Sequence, residues 1–126
     1  MNNLDTSFLI EALKEYEPAG IILFGSYAKG NQRQESDIDI AFLPQNKLSA
    51  YEVFEKQEEI ASKLNVDINL IDLNATSTVF AFEILTTGKV IDITDQVKWD
   101  QFNFLTYSKY VKLNAERKEI IKGLSA

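Results

Sequence analysis

The spacing of four residues constrains this chain more than anything else in it. Gly25-Ser26 directly follows the apolar run Ile21 to Phe24, and after ten intervening residues Asp37 and Asp39 alternate with Ile38 and Ile40. A short apolar run closed by glycine reads as a buried strand. Asp37 to Leu43 reads as a second, with Asp37, Asp39 and Ala41 on one face and Ile38, Ile40 and Phe42 on the other. An unpaired charge is costly to bury, so two carboxylates at alternate positions of such a strand require something that compensates them.

The surrounding pattern supplies the rest of the fold. Phe8, Leu9, Ala12, Leu13 and Tyr16 recur at helical spacing until Pro18 and Gly20 end them. Ser49 and Glu52 have the spacing of a capping box. Ala50, Val53, Phe54, Gln57, Ile60, Ala61 and Leu64 then share one helical face, with Glu52, Glu55, Lys56, Glu59 and Lys63 expected outside. Val66 to Leu73 alternates as a third strand whose polar stripe starts at Asp67. Thr78 to Thr87 is a helix closed by Gly88, Lys89 to Ile93 a short strand near the sheet edge, and a long aromatic helix follows. The expected fold class is α/β (α+β): a small mixed sheet of about four strands flanked by helices. One domain spans 1–126, its core at about 20–93 and its C-terminal helical segment at about 95–124.

Composition narrows the chemistry. The chain has no Cys and no His, so a thiol nucleophile, an imidazole base and the usual zinc ligands are excluded. Catalysis must use carboxylates, hydroxyls, Lys, Arg or a hard metal. The net charge of −6 argues against affinity for a phosphate backbone, so no direct nucleic-acid partner is expected. With neither a signal-peptide pattern nor an apolar run long enough to span a bilayer, the expected location is cytoplasmic, without membrane contact.

Gly25 and Gly30 have the Walker spacing, but Asn31 and Gln32 stand where Lys and Ser or Thr are needed, which rejects a P-loop. The Gly25-Ser26 turn offers backbone N–H groups and a hydroxyl to a polyphosphate. Lys29, Arg33 and Ser36 complete the candidate nucleotide-binding set, the first two as charges for phosphate and Ser36 as support at the strand entrance. Asp37 and Asp39 sit roughly 7 Å apart along their strand, close enough to share a pair of divalent ions. Asp67 is the candidate third carboxylate and the base for an attacking hydroxyl, although Asn69 shares its face and Asp72 lies nearby.

"GSYAKGNQRQESDID" resembles the signature of the minimal nucleotidyltransferases, the MNT domain of the DNA polymerase β-like superfamily. "VDINLIDLN" is similar to that family's third-carboxylate strand, and "FEILTTGKVI" to the helix, glycine and strand that follow. A chain this short resembles the MntA-type antitoxins of HEPN/MNT toxin–antitoxin modules. The resemblance implies that Asp37, Asp39 and Asp67 hold Mg2+, two ions in number, and that Gly25 and Ser26 hold the triphosphate of ATP. It implies transfer of AMP to a tyrosine hydroxyl of a HEPN-type ribonuclease toxin within a hetero-oligomer. Two rivals stand beside it: an aminoglycoside-type nucleotidyltransferase drawn to its cationic substrate by the acidic surface, and a non-enzymatic antitoxin that acts by binding alone.

Overall fold

The computed structural model describes residues 6–25 and 37–125. Four strands, β1 (Gly20–Phe24), β2 (Ile38–Phe42), β3 (Ile68–Asp72) and β4 (Lys89–Ile93), form one mixed sheet in the order β3-β2-β1-β4. β1 pairs antiparallel with both β2 and β4, whereas β2 and β3 are parallel. A parallel pair needs a crossover rather than a hairpin, and α2 (Ala50–Leu64) lies in that connection.

The alternation along the strands sorts the core into two layers. Ile21, Leu23, Ile38, Ile40, Phe42, Ile68 and Leu70 face one side, where Leu9 and Leu13 of α1 (Thr6–Leu13) and Ile60 of α2 cover them. Ala19, Ile22, Ala41 and Leu43 face the other, under Ala81 and Ile84 of α3 (Thr78–Thr87) and Trp99 of α4 (Gln96–Ser125). Asp37 and Asp39 therefore lie on the α3/α4 side of β2, in line with Ala41, as the alternation predicts.

Local signals set the boundaries. Ser49 Oγ accepts from the Glu52 N–H at 3.1 Å and Glu52 Oε1 from the Ser49 N–H at 2.9 Å, the reciprocal box expected at the start of α2. Ser77 Oγ caps α3 by accepting from the Phe80 N–H. β3 is shorter than the expected Val66 to Leu73: it starts at Ile68, and at its C-terminal end Leu73–Ala75 turns into a 3-10 segment at Asp72, whose Oδ1 accepts from the Asn74 N–H at 2.9 Å. Gly88 ends α3, but with an extended φ of −83° rather than the left-handed one its position suggests. Its smallness is what matters: a Cβ there would stand 2.6 Å from the Ile84 carbonyl oxygen and 2.7 Å from that of Leu23.

One expected surface residue is inside. Lys56 is only 6% exposed, because the 3-10 extension of α1 (Lys14–Tyr16) brings Glu15 and Tyr16 across its side chain. Its Nζ donates to Glu15 Oε1 at 2.7 Å and approaches Glu59 Oε2 at 3.3 Å, and it lies 5.8 Å from the Tyr16 ring centre. Phe54, expected on the buried face, is exposed instead. Gln57, on the inner face, protects the outer edge of the sheet: its Oε1 accepts from the Leu70 N–H of the edge strand β3 at 3.0 Å.

The long last helix is held at its start. Trp99 is buried against Gly20, where a Cβ would stand 2.6 Å from Trp99 Cζ3. Tyr110 stacks on Phe82 of α3 at 3.7 Å, and Tyr107 meets the same ring edge-on at 4.9 Å. Phe104 is exposed, so the aromatics divide between core and surface. Among the described residues no helix is long and apolar enough to cross a membrane.

Candidate active site

The register of the sheet assembles the site. Phe24 pairs with Asp39 and Asp39 with Asn69, so the C-terminal end of β1 and the N-terminal ends of β2 and β3 meet at one edge of the sheet. The row behind it, Ile22, Ala41 and Ile71, is apolar and lies in or against the core. Core therefore gives way to chemistry within one residue pair.

Gly25 follows Phe24 with φ 71°, a backbone conformation that side chains disfavour. A Cβ at this position would collide with Asp39 Oδ2 and stand 3.1 Å from its Cγ. Glycine is thus needed twice, for the turn and for the approach of the backbone to the Asp39 carboxylate. Phe24 itself packs edge-on against Phe80 of α3, 5.8 Å between ring centres, forming an apolar wall beside the row.

Asp37 and Asp39 converge on a third side chain. Asn69 Nδ2 donates to Asp39 Oδ1 at 2.8 Å and to Asp37 Oδ2 at 3.3 Å. Asp37 and Asn69 are exposed and Asp39 half-buried, so the cluster opens to solvent. Asn69 was not among the candidate residues read from the sequence. Its signal was there, two positions beyond Asp67 on the same polar stripe, but its role depends on the parallel register that places it opposite Asp39.

Asp67 lies at the same edge. Its carbonyl oxygen accepts from the Ile38 N–H at 3.0 Å, which places its backbone alongside that of Asp37 as the last rung before β3 begins. Its side chain is exposed, and among the described residues no three acidic side chains form a ready-made metal cage. Like charges repel, and it is an amide that draws two of the three together. Asp72, the rival on this strand, pairs with Phe42 at the opposite end of the sheet, is 7% exposed and caps the following turn. Its burial raises its pKa above the usual 3.8, a hydrogen bond from the Asn74 N–H opposing that rise. Ser26, Lys29, Arg33 and Ser36 lie outside the described residues.

The donors present suit a hard divalent ion. All are carboxylate oxygens, and among the described residues only one oxygen of Asp37 and one of Asp39 is engaged, by Asn69. A mouth formed by a glycine turn beside two such carboxylates can receive a phosphate chain and the cations that accompany it.

Comparison with known proteins agrees with this geometry. Residues 8–97 match the family model described as polymerase beta, nucleotidyltransferase. The chain is 38% identical to protein adenylyltransferase MntA of Shewanella oneidensis over 128 residues, covering 100% of this chain and 91% of that protein. A putative protein adenylyltransferase of Methanocaldococcus jannaschii is 34% identical over 52% of this chain and 76% of its own length. Among solved structures, a toxin–antitoxin crystal structure with AMP-PNP contains a chain of TM-score 0.84 and 38% identity, with 98% of this chain and 100% of that one covered. A complex of tri-AMPylated Shewanella oneidensis HEPN toxin with MNT antitoxin matches at TM-score 0.79 and 34% identity over 100% of both chains. With its signature turn, its paired aspartates and a model match across most of its length, this chain belongs to the polymerase β-type nucleotidyltransferase family.

Proposed function

We propose that this protein is an antitoxin that transfers AMP from ATP to a tyrosine hydroxyl of a HEPN-domain toxin, with Mg2+ as cofactor. The observation that carries the reading is the convergence of Asp37 and Asp39 beside Gly25 at the open edge of the sheet. Full-length similarity to a named protein adenylyltransferase supports the acceptor class, and similarity to chains from complexes with AMP-PNP and with an AMPylated HEPN toxin supports the donor and the partner.

The chemistry follows from the residues. The backbone at Gly25 admits the phosphate chain close to Asp39, and Ser26 offers its hydroxyl to the phosphates. Asp37, Asp39 and Asp67 would hold Mg2+, which when bound neutralises phosphate charge and favours the ionised acceptor hydroxyl. The acceptor oxygen attacks the α-phosphorus, the bond to the bridging oxygen of pyrophosphate breaks, and pyrophosphate leaves with that electron pair. Asp67, exposed beside Asp37, takes the hydroxyl proton.

The test is the intact mass of a co-expressed HEPN partner after incubation with ATP and Mg2+. One adenylate mass per modified tyrosine is expected with the wild-type protein, and none with Asp37→Asn/Asp39→Asn. A partner that stays unmodified, yet is neutralised equally by wild type and double variant, would favour neutralisation by binding alone.

A further inference from the structure

We infer that Asn69 is a positioning residue that holds Asp37 and Asp39 in a metal-ready arrangement. The inference rests on the proposed role of these two aspartates as Mg2+ ligands. It adds a residue that the nucleotidyltransferase signature does not contain.

The argument begins with what the two carboxylates accept. Both are acceptors, so the Asn69 side chain can face them only with its amide nitrogen, and both hydrogen bonds come from Nδ2. Asn69 engages one oxygen of each carboxylate, Oδ1 of Asp39 and Oδ2 of Asp37. Among the described residues that leaves Asp37 Oδ1 and Asp39 Oδ2 for a cation. The latter points at the Gly25 backbone, the side from which a phosphate chain would come. Asn69 thus fixes the rotamers of two side chains that would otherwise repel one another. It does so from β3, whose register against β2 is enforced by Ile38–Ile68 and Ile40–Leu70 pairs buried on the opposite face. An amide that orients ligands through their second oxygens is the arrangement whose loss typically costs 10- to 100-fold in metal affinity.

The consequence can be read on the protein alone, without partner or ATP. Titration calorimetry with MnCl2 should show binding to the wild type, none to Asp37→Asn/Asp39→Asn, and binding weakened roughly 10- to 100-fold in Asn69→Ala. Asn69→Gln, which keeps the amide on a longer arm, should recover part of that loss. Asn69→Asp provides a second readout, because a third carboxylate replaces the donor. Its melting temperature without metal should fall below that of the wild type, and MnCl2 should raise it by more than it raises the wild type. Asn69→Ala that binds Mn2+ as tightly as wild type, with the double aspartate variant still silent, would overturn the role of Asn69 and leave the metal site standing. A wild type that binds no Mn2+ would overturn the metal reading itself.

Discussion

Gly25 and Asp39 are in contact across the β1–β2 pair in a way that no other residue at position 25 permits, since a Cβ would occupy the place of Asp39 Oδ2. Gly25→Ala should therefore act on function more than on folding. The left-handed backbone costs about 1–2 kcal/mol with a side chain present. The larger effect falls on the Asp39 carboxylate, which must swing off Asn69 to make room. We expect AMP transfer to drop at least ~100-fold, as is typical when a reacting group is misplaced by about 1 Å, with melting lowered by only several degrees. Transfer rate and thermal melts on the same preparation check this. Wild-type transfer by Gly25→Ala would refute the close approach.

Lys56 and its partners give a stability prediction independent of the site. Burial works to lower the Lys56 pKa, but hydrogen bonds and charge from Glu15 and Glu59 outweigh it and leave the ammonium above its usual 10.5. A raised pKa means the folded state holds the proton more tightly. The contribution is therefore complete below 10.5 and is lost as pH rises through the folded value. Glu15→Ala should lower stability by about 1 kcal/mol at pH 7, since Glu15 is itself largely exposed and Glu59 remains. Lys56→Met, which replaces the charge with an apolar chain of similar length, should be nearly neutral at pH 7 and should reduce the alkaline loss of stability. Denaturant titrations at pH 7 and above 10.5 test both.

These two cases also mark where sequence reading succeeds and where it stops. The strands that carry the site are legible because apolar and polar residues alternate in Asp37 to Leu43, and because Pro44 and Gly25 punctuate them. α3 and β4 fall where the pattern puts them, since Ser77 and Gly88 bound one and the close approach at Gly88 starts the other. Lys56 was not legible, because a helical face drawn for α2 alone contains no information about Glu15 and Tyr16, which reach it from α1's extension 41 residues earlier in the case of Glu15. Asn69 was hidden for a similar reason. Its meaning comes from a parallel pairing with β2, and alternation gives the face of a residue but not its partner across the sheet.

Asp72 offers a pH signature. Its carboxyl is buried and its pKa raised, first by desolvation, with the Asn74 N–H hydrogen bond opposing. The folded state thus binds this proton more tightly than the unfolded chain does. Stability from this group is full below about 3.8 and falls as pH rises through the folded value. Asp72→Asn keeps an oxygen for the Asn74 N–H and removes the desolvated charge. Its melting temperature should exceed that of the wild type at pH 7, and the gap should close as pH approaches 3.8. A gap that is constant with pH would show that ionisation of Asp72 is not its source.

The distal half of α4 should bind the toxin rather than stabilise the domain. Trp99, Thr106, Leu113 and Ile120 recur every seven residues and so share one helical face. The first two are buried against the body, whereas Leu113 and Ile120 on the same face are 39% and 64% exposed. At 1.5 Å per residue the helix is about 45 Å long, and this face, aliphatic at Leu113 and Ile120, outlasts the domain that covers its beginning. Lys109, Lys112, Arg117, Lys118 and Lys122 accompany it against Glu116 and Glu119, a basic segment in a chain of net charge −6. Deleting residues 112–126 should change the melting temperature by no more than about 2 °C, in keeping with the exposure of Lys112, Leu113 and residues 115–124. It should weaken binding to the HEPN toxin by roughly 10- to 100-fold, the loss expected when a few aliphatic side chains no longer leave water on association. Calorimetry of the two proteins decides it: unchanged affinity after truncation would assign the docking surface elsewhere, and a collapse of melting would make the distal helix part of the fold.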